Sequence, residues 1–124
     1  MMTLKQKIAQ AIVEANQRYI NKYGSEDWGT CGFAECRMYF GRKTKVRKEL
    51  QEIGILRDYA YSDWKGRYYD TLNYFNFLDE EQNAQMLCVQ TIDWYEAIYR
   101  AIANVLKEEY PLMVNDIQMN SWVD

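Results

Sequence analysis

The hydrophobic pattern of this chain changes its period several times, and the order of those changes constrains the fold more than any other feature. Over residues 3–23 the apolar side chains recur every three or four positions, which predicts an amphipathic helix. Thr3 and Gln6 have the spacing of a capping box at its start, and Gly24 suits its end. Residues 31–40 alternate with period two instead, which predicts a strand whose even-numbered residues share one face and whose odd-numbered residues share the other.

A second helix and a hairpin are predicted after this strand. Thr44 can cap a short helix that stops at Gly54. Its inward-facing residues are Val46, Leu50 and Ile53. Two tyrosine-rich runs, residues 56–63 and 67–78, then flank the tripeptide Trp64-Lys65-Gly66. A short connection that contains glycine, placed between two such runs, predicts a β-hairpin.

The last third of the chain predicts a long helix and a final strand. Thr91 is the expected cap of this helix, and Pro111 marks its end because proline cannot continue it. The inward-facing residues are Tyr95, Ile98, Ile102, Val105 and Leu106. Residues 112–119 are apolar and β-branched enough for a last strand, whereas residues 79–90 show no clear preference.

After the first helix, the predicted order of elements is strand, helix, strand, strand, helix, strand. This βαββαβ order is that of the ferredoxin-like fold, in which two helices cover one face of a four-stranded antiparallel sheet. We therefore expect an α+β protein that forms a single domain over residues 1–124. The additional N-terminal helix then has to pack on an edge, on an end or on the open face of the sheet.

The composition disfavours catalysis. The chain has no histidine, which removes the commonest general base and the commonest metal ligand. Its three cysteines are Cys31, Cys36 and Cys88, and the first two point to opposite faces of a regular strand, which disfavours a zinc site. Glu35, Asp58 and Asp70 remain as candidates for acid–base work, with solvated or salt-bridged carboxylates as the favoured interpretation. We expect no enzyme, no cofactor and no metal.

Charge is distributed unevenly along the chain. Residues 1–67 carry 13 Lys/Arg against 8 Asp/Glu, whereas residues 68–124 carry 2 against 10. Five basic residues occupy seven positions at the start of the second predicted helix: Arg42, Lys43, Lys45, Arg47 and Lys48. The N-terminal end of a helix dipole disfavours cations, so this cluster predicts contact with an anion of a partner. A solvated basic face is the alternative.

Aromatic side chains of the hairpin region form a second candidate surface. The residues expected to bind a partner there are Tyr59, Tyr61, Tyr68 and Tyr74. Base stacking, packing beneath the N-terminal helix and a homodimer contact all remain open as roles for these rings. Nearby carboxylates would repel a phosphate backbone, and they are Asp63, Asp70, Asp79, Glu80 and Glu81. The sequence therefore favours a protein partner or a second copy over nucleic acid.

Nothing in the sequence indicates export or membrane insertion. Residues 1–10 contain two lysines but no continuous apolar region of the kind that signal peptides have. No apolar run approaches the ~18 residues that a membrane span needs. We expect a cytoplasmic protein with no membrane partner.

Two segments resemble a group of small proteins that tailed bacteriophages and prophages encode. The segments are Trp28-Gly29-Thr30-Cys31-Gly32-Phe33-Ala34 and the C-terminal Ser121-Trp122-Val123-Asp124. The resemblance implies phage origin, and with it an accessory protein that binds a host protein or ribonucleoprotein complex in the host cytoplasm. An inhibitor of a bacterial defence system, such as an anti-CRISPR protein, fits the small size and the lack of a catalytic set. The alternative function is a small RNA- or DNA-binding module that uses the basic helix and the aromatic sheet.

Overall fold

A four-stranded antiparallel sheet, preceded by an N-terminal helix, organises this computed structural model, which describes residues 1–25, 30–41, 44–56, 61–87 and 91–123. In chain order the helices and strands are α1 (Leu4–Tyr23), β1 (Gly32–Met38), α2 (Lys45–Glu52), β2 (Tyr61–Ser62), β3 (Tyr68–Thr71), α3 (Glu80–Gln85), α4 (Ile92–Glu109) and β4 (Ile117–Val123). Short 3-10 helices, Tyr74–Phe77 and Pro111–Asp116, precede α3 and β4. The α+β class predicted from the sequence is confirmed.

The predicted N-terminal helix is confirmed together with its caps. The Thr3 hydroxyl accepts from the backbone N–H of Gln6, the Gln6 side chain accepts from the backbone N–H of Thr3, and Gly24 ends the helix at a φ of 83°. Ile8 and Ile12 are fully buried where α1 packs against α4. The helix therefore packs on α4, and among the described residues it does not cover the face of the sheet opposite α4.

The strand order is β2-β3-β1-β4, and every neighbouring pair is antiparallel. β1 pairs with all seven residues of β4, but its pairing with β3 is limited to Arg37 opposite Thr71 and Met38 opposite Asp70. The period-two prediction for β1 is confirmed, because its even-numbered residues are buried against α4. Gly32 starts the strand where the backbone is crowded, since a Cβ there would lie 2.5 Å from the carbonyl oxygen of Trp122.

The predicted hairpin is confirmed, although its strands are shorter than expected. Tyr61 pairs with Tyr69, and the Asp63 carboxylate closes the turn by accepting the backbone N–H groups of Lys65 and Arg67 at 2.9 Å each. Beyond Thr71 the chain leaves the sheet and forms the 3-10 helix Tyr74–Phe77. Tertiary packing explains this difference, because the Tyr74 ring packs edge-on against the rings of Trp94 and Tyr99 on α4.

The inner face of α2 differs from the prediction. Thr44 caps the helix as expected, since its hydroxyl accepts from the backbone N–H of Arg47. Leu50 is buried, but Ile53 is 47% exposed because the helix ends before it, and Arg47 takes the inner position instead. The placement of Ile53 in the core was wrong.

Two late elements also differ from expectation. Residues 80–85, for which the sequence shows no clear preference, form α3, and Asp79 and Gln82 supply its capping box. Pro111 ends α4 as predicted but begins a 3-10 helix, so the last strand starts at Ile117 and not at residue 112.

A buried asparagine joins α1 to the segments that precede α4. Asn16 is 3% exposed, and its Oδ1 accepts from the indole Nε1 of Trp94 and from the backbone N–H of Leu87, both at 3.1 Å. Its Nδ2 donates to the carbonyl oxygen of Gln85 at 3.3 Å. These bonds satisfy the fully buried Trp94 indole and hold α3 beside α1.

Candidate functional site

The two faces of the sheet have different surroundings. α4 packs on β1 and β4, and α2 reaches the same face through Arg47, which pairs with Asp70 of β3. The opposite face carries the odd-numbered residues of β1 and the residues beside them in the other strands. We call this surface the open face, and its residues are Phe33, Glu35, Arg37, Tyr39, Tyr61, Tyr69, Thr71, Gln118, Asn120 and Trp122.

Arg37 lies at the centre of the open face and is held on three sides. Its Nε donates to the Glu35 carboxylate, and its Nη1 donates to the Tyr39 hydroxyl at 3.3 Å. Its guanidinium lies 4.3 Å from the centroid of the Tyr69 ring. Partial burial acts to lower the pKa of Arg37, but the hydrogen bonds to Tyr39 and Glu35 outweigh it and raise that pKa above its usual value. The cation is therefore fixed in position and stays charged.

A second arginine continues this network toward the hairpin turn. The Tyr39 hydroxyl donates to Asp63 Oδ2 at 3.3 Å, and Arg67 Nε donates to the same oxygen at 3.2 Å. The Arg67 guanidinium lies 4.5 Å from the centroid of the Tyr39 ring. Desolvation acts to raise the pKa of Asp63, but the backbone N–H groups of Arg67 and Lys65 lower it overall. Both arginines thus lie over tyrosine rings and contact a carboxylate.

Aromatic rings extend the open face in both directions from this network. The Tyr69 ring stacks on Tyr61 with centroids 5.9 Å apart. At the far end, the rings of Phe33 and Trp122 are 6.1 Å apart, and each is more than a third exposed. Burial raises the pKa of Tyr69, so its hydroxyl stays protonated at neutral pH.

A shallow cavity of about 320 Å³ opens where β3 leaves β1. Its walls include Phe33 and Trp122 of the open face, together with Tyr95 and Tyr99 of α4. Glu35 is its only ionisable carboxyl among the described residues that line it. That carboxylate already pairs with Arg37. The rings of Phe33, Trp122, Tyr95 and Tyr99 therefore dominate the rest of the lining, and the cavity extends the aromatic surface of the open face.

The four tyrosines predicted as binding residues separate in the structure. Tyr61 lies on the open face and is 43% exposed. Tyr68 is also exposed but, as the strand neighbour of Tyr69, it points to the other side of the sheet. Tyr74 packs against Trp94 from a 3-10 helix and is not part of the open face. Tyr59 falls outside the described residues.

The predicted basic cluster is also divided. Arg42 and Lys43 lie outside the described residues. The side chain of Lys45 is 91% exposed and lies 4.0 Å from Glu49, and Lys48 is exposed as well. Arg47 requires a correction, because it is buried and its side chain cannot serve as a surface contact.

Arg47 instead forms a two-point ion pair in the core. Its Nε and Nη2 donate to the two carboxylate oxygens of Asp70 at 2.9 and 3.0 Å, and each residue is 5% exposed. The cost of burying one charge is offset by the other, which explains an arginine on the inner face of α2. Asp70 is thereby excluded as a surface carboxylate and as an exposed acid–base group.

Phe33, Arg37 and Tyr39 of the open face are not among the site residues predicted from the sequence. Glu35, Arg37, Tyr39 and Phe33 share the odd-numbered face of β1, and that spacing was visible in the sequence. The presence of Arg67 and Asp63 beside them follows from the hairpin, which brings the turn to the end of β1. Of the five carboxylates expected to repel phosphate, Asp63 belongs to this network, whereas Asp79, Glu80 and Glu81 begin α3 beside α1.

The two cysteines in the described part of the chain differ in exposure. Cys31 is exposed and Cys36 is fully buried, as their odd spacing predicted. Burial raises the pKa of Cys36 to about 12, which keeps the thiol protonated. Cys88 lies outside the described residues. Within the described ranges, no three His, Cys, Asp or Glu side chains come together as a metal site requires, and no helix is long and apolar enough to span a membrane.

Comparison of the chain with protein-family models, with curated proteins and with solved structures found no match. The open face is therefore interpreted from its own chemistry.

Proposed function

We propose that the chain is a non-catalytic, phage-type accessory protein that binds a host protein, or the protein surface of a host ribonucleoprotein complex, through its open face. The observation that carries this proposal is the fixed network of Arg37, Tyr39, Asp63, Arg67 and Tyr69. Hot spots at protein interfaces are enriched in arginine, tyrosine and tryptophan. Side chains that are already held in place lose little conformational entropy when a partner binds, which favours affinity.

A ferredoxin-like topology is the fold we propose for this scaffold. The strand order β2-β3-β1-β4 and the antiparallel pairing of all neighbours support it, as does the placement of α2 and α4 on one face. In this arrangement α1 is an addition that covers α4. The open face is then the broad surface that remains for a partner.

Nucleic-acid binding is the second candidate, and the exposed rings of Tyr61, Phe33 and Trp122 are the observation in its favour. Two features count against it. Arg37 on the open face is paired with Glu35, and Arg67 at the adjoining hairpin turn is paired with Asp63, which weakens the attraction of both arginines for phosphate. The exposed lysines of α2 lie on the helical side of the sheet. A single nucleic-acid strand that stacks on the open face would therefore not reach these lysines.

A capture experiment with matched variants tests the protein-binding proposal. Immobilised wild-type protein is compared with Tyr61→Ser/Trp122→Ser and with the control Asn21→Ser/Tyr23→Ser, whose sites both lie on α1. Tyr23 is 39% exposed, close to the 43% of Tyr61. We expect a bacterial host protein that the wild type and the control retain and that the open-face variant loses. Equal capture by all three folded proteins would refute a docking role for this face.

Titration with single-stranded oligonucleotides separates the two candidates. A nucleic-acid module should bind with an affinity that falls steeply with salt concentration, because phosphate contacts release counterions. We expect no such binding. Tight, salt-dependent binding that Tyr61→Ser/Trp122→Ser abolishes would establish the alternative.

Inhibition of a bacterial defence system in the host cytoplasm is the role we propose for this binding. Plating of a targeted phage on a host with active CRISPR immunity measures it directly. Expression of the wild type should raise plating efficiency, and expression of the folded open-face variant should not. An equal rise in plating efficiency with both proteins would show that inhibition does not depend on the open face.

A further inference from the structure

β4 is an edge strand of the sheet, and its sequence carries none of the features that usually prevent such a strand from pairing with another chain. Its seven residues, Ile117–Val123, include no charged residue and no proline, in a chain with 27% charged residues. Its register with β1 is unbroken, so it contains no bulge. An edge of this kind is a template for another strand, and natural proteins usually block it with charges, proline or a bulge.

The register also shows which backbone groups of β4 face outward. The N–H of Tyr39 donates to the carbonyl of Asp116 at 2.7 Å, directly before the first paired residue of β4. Hydrogen-bonded and non-bonded pairs alternate along an antiparallel ladder. The even-numbered residues of β4 therefore bond to β1, and the N–H and C=O groups of its odd-numbered residues point away from the sheet.

The sequence of β4 is compatible with pairing to itself. A two-fold axis at Asn120 places Gln118 opposite the second copy's Trp122, and Met119 opposite the second copy's Ser121. The Ile117 N–H already donates to the carbonyl of Val114, and the other outward groups of the odd-numbered residues then form about six backbone hydrogen bonds. Because a two-fold axis brings identical residues close to one another, a charged strand would repel itself, and β4 has no charge to cause that repulsion.

Exposed apolar side chains flank this edge at both ends. Leu112 and Val114, in the 3-10 helix directly before β4, are 97% and 40% exposed, and Trp122 and Val123 at its end are 46% and 66% exposed. Large apolar side chains grouped at the surface mark interaction sites. They would bury area beyond the backbone pairing itself.

We propose that β4 pairs antiparallel with β4 of a second copy of this chain, which makes a two-fold dimer with a continuous eight-stranded sheet. The axis is perpendicular to the sheet, so both open faces lie on the same side. This inference does not rest on the proposed function, because a dimer can form whether or not the open face binds a host protein.

Charge placed at the axis provides the test. Asn120→Lys and Asn120→Asp each bring two like charges together across the axis, and Asn120→Gln is the neutral control. In sedimentation equilibrium we expect the wild type and Asn120→Gln to be dimers, and each charged variant to dissociate with a Kd raised about tenfold or more. An equimolar mixture of the two charged variants should regain the dimer, now as a heterodimer detected by native mass spectrometry.

Amide hydrogen exchange gives a readout that does not depend on substitutions. Dimerisation should protect the N–H groups of Met119 and Ser121 at high protein concentration, whereas those of Gln118 and Asn120 are bonded to β1 and should be protected at all concentrations. A wild type that is monomeric at its highest soluble concentration overturns the proposal. So does a dimer that both charged variants retain, or one in which Met119 and Ser121 exchange freely.

Discussion

Arg47 and Asp70 form a buried, two-point ion pair that joins α2 to β3, with donor–acceptor distances of 2.9 and 3.0 Å. The pair converts one member of a basic cluster from a surface charge into part of the core.

Removal of either partner is expected to destabilise the fold strongly. Arg47→Ala or Asp70→Asn leaves an unpaired group in the core, which should lower the free energy of unfolding by about 3–5 kcal/mol. The double variant Arg47→Met/Asp70→Leu should lose much less, because apolar groups of similar size replace the pair. Urea unfolding measures all three, with Lys48→Ala as an exposed control on α2 that should stay within about 0.5 kcal/mol of the wild type.

The same pair changes how the basic cluster has to be tested. Reversal of all its charges together would unfold the protein through Arg47, so a loss of binding could not be assigned to the surface. Reversal of Arg42, Lys43 and Lys48 with Arg47 unchanged should weaken partner binding and leave the thermal midpoint close to that of the wild type. Unchanged binding by this folded variant would remove the cluster from the binding surface.

Asn16 is expected to contribute more to stability than its size suggests. Asn16→Leu leaves the Trp94 indole and the Leu87 N–H without their acceptor, and each buried unsatisfied group costs about 1–3 kcal/mol. Thermal and urea unfolding should show the loss. Asn21→Ala on the exposed side of the same helix is the control and should change little. Equal stability of the two variants would mean that water replaces the lost acceptor.

Cys36 should react far more slowly than Cys31 with thiol reagents. A rise of the Cys36 pKa from 9.0 to about 12 lowers the thiolate fraction at pH 8 about a thousandfold. Single-cysteine variants that retain only Cys31 or only Cys36 allow the comparison with Ellman's reagent. In urea the two rates should converge, whereas similar rates in the native state would contradict the burial of Cys36.

The raised pKa of Tyr99 is expected to lower the free energy of unfolding at high pH. Burial raises its pKa from 10.0 to about 12, so the folded state holds its proton more tightly than the unfolded state does. The resulting stabilisation is fully present below pH 10 and is lost as the pH rises toward 12, up to about 3 kcal/mol. Tyr99→Phe should show a shallower decline over this range. Cys36 interacts with Tyr99, so the comparison is made between Cys36→Ala and Cys36→Ala/Tyr99→Phe.

Helix ends, the hairpin turn and the two faces of β1 can be predicted from residues that are close together in the sequence. Thr3, Gln6 and Gly24 act through bonds to residues at most four positions away, so their spacing alone predicts where α1 begins and ends. The same holds for the turn at Gly66 and for the end of α4 before Pro111. The faces of β1 follow from period two, which needs no knowledge of the rest of the chain.

Only the tertiary structure decides the partners of groups that are far apart in sequence. Arg47 and Asp70 are separated by 23 residues, and no spacing rule distinguishes them from the exposed charges beside them. Tyr74 leaves the expected strand because the rings of Trp94 and Tyr99 offer it a packing position, partly buried, that the strand pairing does not. The placement of α1 on α4, and with it the exposure of the open face, depends on how whole apolar surfaces fit together. Such fits depend on the summed burial of many distant side chains, which a local pattern does not contain.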